Sequence, residues 1–480
     1  MNSYNRTFEG IVTSVSNAAD QRSILYTILS DKVICATSPL VLDVGDVVDV
    51  KAVKVGQRAS IEKIEIVGEA TVGEIDKSIG RLPDMIHVRE NVEKMVEKYV
   101  KDAPYSDGVL KIAKDVEKAA GAFAAAYMSG AEIIVRFHND CDGASGAISI
   151  YRALAKVAGE FVVGRPSVLW VMQRGIEYDR ESAYSDILEF RNHKSAVDPL
   201  LLITDFGTTP GSEDQINNPE RRHSMIMLDH HPPYPGFPRR RILHYLNPWD
   251  YGMDSSFTAG LLSSLFAEAL APIDTADMIN ASLIGDFSEF ANRSDAEGQK
   301  LSIVLDYLTS VAGRIGSGID RLTPGYAESI IKDRERLDSI YYSASGTLNE
   351  LLDMGIERVK KLRGKFADVF VLDFSELPKS ESGYPLPGRY SSRLQEKLEA
   401  INGIRTILVL HYGSYITIRL PRKISKEVAL LDKINSILKS SEYAESGGGH
   451  NEAASIKVDK KRSGEVLSLL LMELGCPSYH

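Results

Sequence analysis

Residues 133–143 read IIVRFHNDCDG, an apolar β-branched run that ends in a histidine, two aspartates and a glycine. The next residues, 144–158, have the spacing of a helix with one apolar face. A strand, a tight turn and a helix form the first half of a βαβ unit, in which ligands lie at the carboxyl end of the strand. His138, Asp140 and Asp142 alternate, so an extended backbone would direct all three to one side. These donors are suited to a divalent cation, and a solvated acidic turn is the alternative.

Three further apolar segments end in aspartate or histidine. Residues 199–203 precede Asp205, residues 224–228 precede Asp229, His230 and His231, and residues 283–285 precede Asp286. Because parallel strands place their carboxyl ends along one edge of a sheet, these side chains are expected to converge. Asp286 falls at or after the end of a helix predicted over residues 275–289, and nearby acids compete with it for the role: Asp274, Asp277, Asp295 and Glu297.

The motifs together are similar to those of the DHH phosphoesterase superfamily and, within it, of archaeal RecJ-like single-strand-specific exonucleases with a DHH-associated C-terminal domain. The matching pattern is His138-x-Asp140-x-Asp142-Gly143, Asp205, Asp229-His230-His231, Asp286 and Gly447-Gly448-Gly449-His450. The resemblance runs from about residue 131 to the C-terminus. It implies an α/β fold with a parallel-sheet DHH metal domain and a smaller α/β C-terminal domain.

The resemblance also assigns ligands to two divalent ions. His138 and Asp140 would hold one ion, and Asp205 would bridge to the other. The second ion would be held by Asp142, His230 and Asp286. Carboxylate and imidazole donors suit Mn²⁺, the expected ion, with Mg²⁺ as the alternative. Two such ions ~3.5–4 Å apart would activate a water and stabilise the leaving oxygen of a phosphodiester.

The resemblance also implies catalytic roles for Asp205, Asp229 and His231. Asp229 would orient the ligands without binding an ion itself, and His231 would contact the scissile phosphate or the leaving group.

Near the C-terminus, three glycines would let backbone amides approach an anion, with a flexible surface turn as the alternative. The predicted substrate-binding residues are Gly448, Gly449, His450, Arg389 and Arg393.

The N-terminal 70 residues differ in pattern from the rest. Short alternating runs separated by polar or Gly-containing turns predict five strands and an OB-like β-barrel. Archaeal RecJ-like proteins carry such a domain. Because the segment is acidic near Asp43, Asp46 and Asp49 and poor in aromatic residues, a structural or protein-docking barrel is favoured over a groove for single strands.

Five domains are predicted along the chain. They are an OB-like barrel over 1–70, a helical connector over 71–130, the DHH metal-binding phosphoesterase domain over 131–325, a bridging helix over 326–345 and the DHH-associated substrate-binding domain over 346–480. The bridge rests on an amphipathic pattern that extends from residue 327 to residue 354.

Composition limits the class of protein. The chain has 480 residues, 44% hydrophobic and 25% charged, which is typical of a globular protein of more than one domain. It lacks a run of ~18 apolar residues, so no membrane span is predicted. Its first residues lack the apolar core of a signal peptide, and its three cysteines lie far apart, which favours the cytoplasm. The net charge of −10 is uneven, because residues 346–480 are slightly basic.

These features support three functional hypotheses. The first is a two-metal exonuclease that degrades single-stranded DNA or RNA in replication or repair. The second is a phosphodiesterase for short oligonucleotides or cyclic dinucleotides, which the N-terminal barrel and the connector disfavour. The third, suggested by the resemblance, is a replication-complex scaffold that binds the GINS component of the replicative helicase. Because every proposed ligand is present, an inactive scaffold is disfavoured.

Overall fold

The computed structural model describes residues 7–17, 24–38, 40–55, 58–163, 168–192, 194–314, 319, 321–378, 382–449 and 452–476. Two compact units result. The first comprises residues 1–302 and 323–329, and the second comprises residues 303–322 and 330–480. None of the described helices combines the length and the apolar character that a bilayer span requires.

The elements follow in chain order. Strands of the first unit are β1 (Thr7–Asn17), β2 (Ile24–Leu29), β3 (Val33–Thr37), β4 (Asp46–Val55), β5 (Arg58–Glu69), β6 (Ile133–His138), β7 (Val162–Val163), β8 (Val168–Gln173), β9 (Lys194–Ser195), β10 (Leu200–Thr204), β11 (Ser224–Leu228) and β12 (His244–Leu246). Its helices include α1 (Val72–Gly80), α2 (Leu82–Met85), α3 (Val88–Val100), α4 (Ser106–Met128), α5 (Cys141–Phe161), α6 (Arg180–Glu189), α7 (Glu213–Ile216), α8 (Ala259–Leu270) and α9 (Ala276–Gly285).

The remaining elements are α10 (Ala296–Val311), α11 (Pro324–Lys332), α12 (Arg334–Arg358), α13 (Pro387–Asn402), α14 (Arg422–Val428), α15 (Leu430–Ser440) and α16 (Ser463–Glu473). The strands among them are β13 (Lys360–Arg363), β14 (Asp368–Asp373), β15 (Thr406–Tyr412), β16 (Tyr415–Arg419), β17 (Ala444–Gly449) and β18 (Ala453–Val458).

The N-terminal sheet contains the five predicted strands. β1 pairs with β2 and β4, β2 also pairs with β3, and β4 pairs with β5, all antiparallel. β3 and β5 share one parallel pair of residues, Thr37 and Ser60. The structure therefore shows a largely antiparallel sheet here, and it does not show the closed OB-like barrel that was predicted.

A parallel sheet forms the centre of the first unit, with strand order β12-β11-β10-β6-β8. Its middle strands are buried on both faces, as expected for near-continuous Leu, Ile and Val runs. Alternate residues enter two separate cores: Val135 and Leu202 pack with α4, α5 and α8, whereas Ile134 and Ile203 pack with Tyr178 and other aromatic residues. The predicted parallel α/β architecture is confirmed.

The second unit is built on a mixed sheet with strand order β13-β14-β15-β16-β18-β17. Only β14 and β15 run parallel, and the other neighbours pair antiparallel. The amphipathic pattern that predicted one bridging helix instead covers two helices, α11 and α12. The break falls at Asp333, whose side chain accepts a hydrogen bond from the Arg336 amide and so caps α12.

A histidine outside the metal motifs is expected to make the stability of the first unit depend on pH. His223 is buried just before β11, and its ring centroid lies 4.8 Å from that of Phe190. Burial, with the nearby Arg221 guanidinium, lowers the pKa of His223 to about 3. Below pH 6.5 the unfolded chain binds a proton at His223, whereas the folded chain does not bind it until the pH approaches 3. The free energy that the neutral ring contributes to stability is therefore complete above pH 6.5 and decreases as the pH drops toward 3.

Replacing His223 with leucine should flatten this dependence. We expect the free energy of unfolding of the wild type to decrease relative to that of His223→Leu by up to about 1.4 kcal/mol per pH unit below pH 6.5. Urea titrations at pH 7.5, 6.5, 5.5 and 5.0 measure the difference. A constant difference between the two proteins across these pH values would contradict the prediction.

Candidate metal centre

Adjacent strands of the parallel sheet end in register. Phe137 pairs with Thr204, Thr204 with Leu228, and Leu228 with Leu246. The residue that follows on each strand is polar: His138 (the last residue of β6), Asp205, Asp229 and Asn247. The predicted convergence at one sheet edge is therefore present. Asn247 belongs to this row although it is not part of any of the predicted motifs.

The loop after β6 differs from the prediction. The backbone becomes helical at Cys141, because α5 begins there and the carboxylate of Asp140 caps it by accepting the Gly143 amide at 3.0 Å. Strand alternation therefore ends at Asp140, and the prediction that an extended backbone aims Asp142 was wrong. Asp142 reaches the cluster from the first turn of the helix.

Asp142 is fully buried and is held by two other helices. Its Oδ2 accepts the Ala259 amide at 2.9 Å and its Oδ1 accepts the Gly260 amide at 2.8 Å, both at the N-terminus of α8. The Ser282 hydroxyl of α9 donates to Oδ1 as well. A carboxylate is favourable at a helix N-terminus, where unpaired amides carry partial positive charge. Asp142 is thereby oriented before any ligand binds.

One group of potential donors surrounds His138. Its Nδ1 lies 2.7 Å from Oδ2 of Asp140 and 3.4 Å from Oδ2 of Asp205. These three residues place one donor atom each within 4.8 Å of one another. Asp205 has a φ of 68°, a left-handed conformation that aspartate tolerates better than most residues do.

A second group surrounds His230. Its Nε2 lies 3.3 Å from Oδ1 of Asp205, 3.3 Å from Oδ2 of Asp286 and 3.8 Å from Oδ2 of Asp142. Asp286 follows α9 directly as its C-terminal cap residue. Asp205 thus presents one oxygen to each group. The structure brings together the six residues predicted as ligands, and their role as ligands stays a prediction.

The Asp-His-His turn is organised around Asp229, which is fully buried. Oδ1 of Asp229 accepts the His230 amide at 2.8 Å and lies 2.7 Å from Nδ1 of His231, and its Oδ2 accepts the Thr208 amide at 3.0 Å. Burial opposes the charge, but His231 and the other donors outweigh it and lower the pKa of Asp229. Asp229 therefore stays ionised and fixes the backbone that carries both histidines.

A loop after β12 holds the same turn from the other side. Asn247 donates its side-chain amide to the His231 carbonyl at 2.9 Å, and Trp249 donates its indole N–H to the His230 carbonyl at 3.1 Å. Ser255 donates its hydroxyl to the His230 carbonyl at 2.7 Å, and its own carbonyl lies 3.0 Å from Nδ1 of His230. Because that carbonyl can only accept, the Nδ1 of His230 carries a proton, and the Nε2 is the ring nitrogen that faces the carboxylates of Asp205 and Asp286.

Charges in the cluster perturb one another. Burial, together with the other carboxylates, raises the pKa of Asp142 well above its usual value and also raises the pKa of Asp205. Burial would lower the pKa of His138 and His230, but the surrounding carboxylates raise it well above the usual value for both. Several buried carboxylates with two imidazoles form a site in which added positive charge is favourable.

The donor set fits a divalent cation. Oδ2 of Asp205 is buried and accepts no well-formed hydrogen bond within the described part of the chain, because the His138 N–H that lies 3.4 Å away is closer to Asp140. Carboxylate oxygens and imidazole nitrogens are the donors that Mn²⁺ and Mg²⁺ sites use, and thiolates are absent from the cluster. The nearby Cys141 donates its thiol to the Ala281 carbonyl at 3.2 Å and is buried in the core.

The predicted substrate-binding residues lie in the second unit. Gly448 and Gly449 belong to β17 and pair with β18, so the Gly-rich segment is a strand up to Gly449, which disfavours the alternative of a flexible surface turn. His450 lies outside the described residues. Arg389 has its Nε 3.2 Å from Oδ1 of Asp306, and Arg393 has its Nη1 3.3 Å from Glu396.

These features define the protein as an α/β protein with a candidate divalent-metal centre at the carboxyl edge of a parallel sheet. No protein-family model matches the chain. An uncharacterized curated protein of Methanocaldococcus jannaschii is 25% identical over 304 residues, which cover 57% of this chain and 37% of that protein. The chain therefore matches little more than a third of the length of this relative.

Solved structures identify the fold. A structure described as the DHH domain of a member of a ribosomal-protein family is 19% identical, with a TM-score of 0.65, over 81% of this chain and 98% of that one. A RecJ structure from Thermus thermophilus in complex with Mn²⁺ is 18% identical, with a TM-score of 0.49, over 75% of this chain and 54% of that one. The first likeness shows that the chain has the fold of that DHH-domain structure.

Proposed function

We propose that the protein is a two-metal-dependent phosphodiesterase, and specifically a RecJ-like exonuclease that degrades single-stranded DNA or RNA in replication or repair. The observation that carries the proposal is the position of Asp205. Its two carboxylate oxygens belong to two different donor groups, and its Oδ2 is buried with no well-formed hydrogen bond from the described residues. A bridging carboxylate is what two adjacent cations need, since two dications at that separation repel each other strongly.

The proposal assigns ligands to each ion. His138 and Asp140 would hold the first ion, with Asp205 shared. Asp142, His230 and Asp286 would complete the second. The two ions, Mn²⁺ by expectation with Mg²⁺ as the alternative, would supply Lewis-acid stabilisation of the attacking and leaving oxygens in an in-line displacement.

Residues that do not bind the ions themselves would orient the histidine rings and fix the positions of their protons. Asp229 accepts from Nδ1 of His231, and we assign Nε2 of that half-buried ring the contact with a phosphate oxygen or the leaving group. Ser255 fixes the ring of His230 so that its Nε2 faces the carboxylates. These contacts exist in the protein alone, and they reduce the reorganisation that substrate and ions would otherwise require.

Substrate binding by the second unit is part of the proposal. We assign phosphate contacts to the backbone amides of Gly448 and Gly449, to His450 and to Arg389 and Arg393. The partners proposed are single-stranded DNA or RNA, with the GINS complex as a protein partner in replication. The five-domain division and an OB-like role for the N-terminal sheet are further proposals.

The direct test incubates end-labelled single-stranded DNA and RNA, and separately linear and cyclic dinucleotides, with the protein and Mn²⁺. A ladder that grows from one end of the polymer is the expected result, and it gives the polarity as well. Cleavage of dinucleotides alone would replace the proposal with the short-substrate function. Lack of any cleavage, together with undetectable Mn²⁺ binding by calorimetry, would favour the scaffold function.

A further inference from the structure

An exposed tryptophan stands beside the metal centre. Trp249 lies in the short 3-10 turn Pro248–Tyr251 that follows β12, and it is 40% exposed. Its indole N–H donates to the carbonyl of His230, one of the proposed ligands, and also lies 3.2 Å from the hydroxyl of Ser255. The aromatic ring is therefore tied to the backbone of the metal centre while much of its surface faces solvent.

The backbone turn that carries Trp249 is fixed by hydrogen bonds on both sides of this residue. The Trp249 amide donates to the side chain of Asn247 at 3.0 Å, and Asn247 is itself fully buried. The next residue, Asp250, forms two hydrogen bonds to Arg239 at 2.7 and 2.8 Å. The turn ends at Gly252, whose φ of 71° suits glycine. The exposure of the indole is thus a fixed feature of the turn, and little conformational entropy would be lost when a flat ligand covers it.

An exposed, rigid aromatic ring is what single-strand-binding proteins use to stack nucleobases. Such stacking tolerates any base, because every base has a π-face, and it is worth between about 5-fold and 150-fold in affinity per base. Phosphate-only substrates such as polyphosphate offer nothing to stack. A ring in this position would therefore distinguish nucleotide esters from phosphate chains, which metal ligands alone do not distinguish.

We propose that Trp249 is a stacking platform for a nucleobase of the substrate, next to the scissile phosphate. This inference rests on the proposed phosphodiesterase function and extends it, because it assigns the base recognition to one residue of the metal-bearing unit. It makes the preferred substrate a polymer or dinucleotide that carries bases, whether DNA or RNA. A purely structural role for Trp249, as a donor to the His230 carbonyl, is the competing explanation.

Fluorescence tests the proposal without relying on turnover. The chain contains two tryptophans, and the other, Trp170, is half-buried in β8 near Tyr151. In a Trp170→Phe background, Trp249 is the only tryptophan, so emission excited at wavelengths that tyrosine does not absorb comes from Trp249 alone. We expect a phosphorothioate oligonucleotide with Mg²⁺ to change its emission, whereas an abasic oligonucleotide of equal length does not. An equal change with the abasic strand, or no change with a strand that the protein demonstrably binds, would overturn the proposal.

Kinetics separate stacking from a structural role. Trp249→Ala should raise KM for oligonucleotides by between about 5-fold and 150-fold. In that variant, the ratio of the KM for abasic substrates to the KM for base-bearing substrates should decrease toward one. Trp249→Phe keeps a ring but loses the N–H, so it should retain part of the base preference. Equal loss in both variants on both substrates would show that only the N–H matters, and would overturn the stacking role.

Two controls keep this inference apart from the proposed function. Tyr184→Ala removes another exposed aromatic ring, on α6, and should not alter the preference for bases. If the wild type cleaves oligonucleotides while Trp249 neither reports binding nor affects KM, the phosphodiesterase proposal stands and the stacking proposal fails. If oligonucleotides change Trp249 emission but are never cleaved, the phosphodiesterase proposal fails, and the proposal that Trp249 stacks on a nucleobase stands.

Discussion

Replacing Asp205 with asparagine is expected to abolish hydrolysis and the binding of one or both divalent ions. Each carboxylate oxygen of Asp205 serves a different donor group, so an amide removes the shared negative charge from both. Metal ions contribute several kcal/mol of transition-state stabilisation, so we expect activity to fall by at least about 1,000-fold. Asparagine also tolerates the left-handed backbone at this position, which keeps the fold intact.

Thermal unfolding provides a readout that does not depend on activity. A ligand at about 100 times its Kd stabilises the folded state by about 2.7 kcal/mol, so Mn²⁺ should raise the Tm of the wild type and not that of Asp205→Asn. Without metal, the variant should be at least as stable as the wild type, because one charge leaves a buried, like-charged cluster. Asp198→Asn, at the exposed opposite end of β10, is the matched control. An equal Mn²⁺ effect on both variants would refute the bridging role.

Replacing Gly143 with alanine is expected to cost stability on the scale of a core defect. A Cβ at this buried position would lie 2.5 Å from the carbonyl oxygen and 2.7 Å from the amide nitrogen of His138. Both atoms are backbone, so relief requires β6 and α5 to move apart at the point where His138 must stay in place. Overpacking of this kind costs about 1–3 kcal/mol or more, and the displaced His138 should weaken Mn²⁺ binding as well.

Gly159 gives the control within the same helix. It is exposed near the end of α5, and a Cβ there would meet nothing within 4 Å. Gly159→Ala should therefore raise the free energy of unfolding by up to about 1 kcal/mol, because alanine is the better helix former. Urea unfolding of both variants measures the two opposite effects. Similar values for the two substitutions would contradict the close approach of α5 to β6.

The strands that carry the centre could be predicted because their sequences are unambiguous. A buried parallel strand must be apolar throughout, so a sudden His or Asp marks its carboxyl end, as at His138, Asp205 and Asp229. The position of Asp286 was harder to predict, because the apolar periodicity extends the preceding helix to residue 289 and so places Asp286 inside it. The structure ends α9 at Gly285, and Phe287 adopts a left-handed φ of 56° that no apolar pattern reveals.

Residues that act through hydrogen bonds could not be predicted in this way. Asn247, Trp249 and Ser255 support the ligand turn from a loop, where neither periodicity nor spacing gives a signal. Asp142 was chosen correctly for the cluster but for the wrong geometric reason, since whether a polar segment is extended or helical depends on tertiary contacts such as those with α8. The strand character of the glycines in β17 likewise depends on a partner strand.

The contacts of Asp142 with α8 and α9 also determine when the centre can come into existence. The carboxylate is held by groups 117 to 140 residues further along the chain. The ribosome must therefore synthesise the chain beyond α9 before the cluster of donor groups can form. Under the proposed function, metal capture would then be a late event on a finished scaffold, and the ions would not nucleate folding. A chelator should accordingly strip the ions from a chain that stays folded, and simple reloading should restore activity without any refolding step.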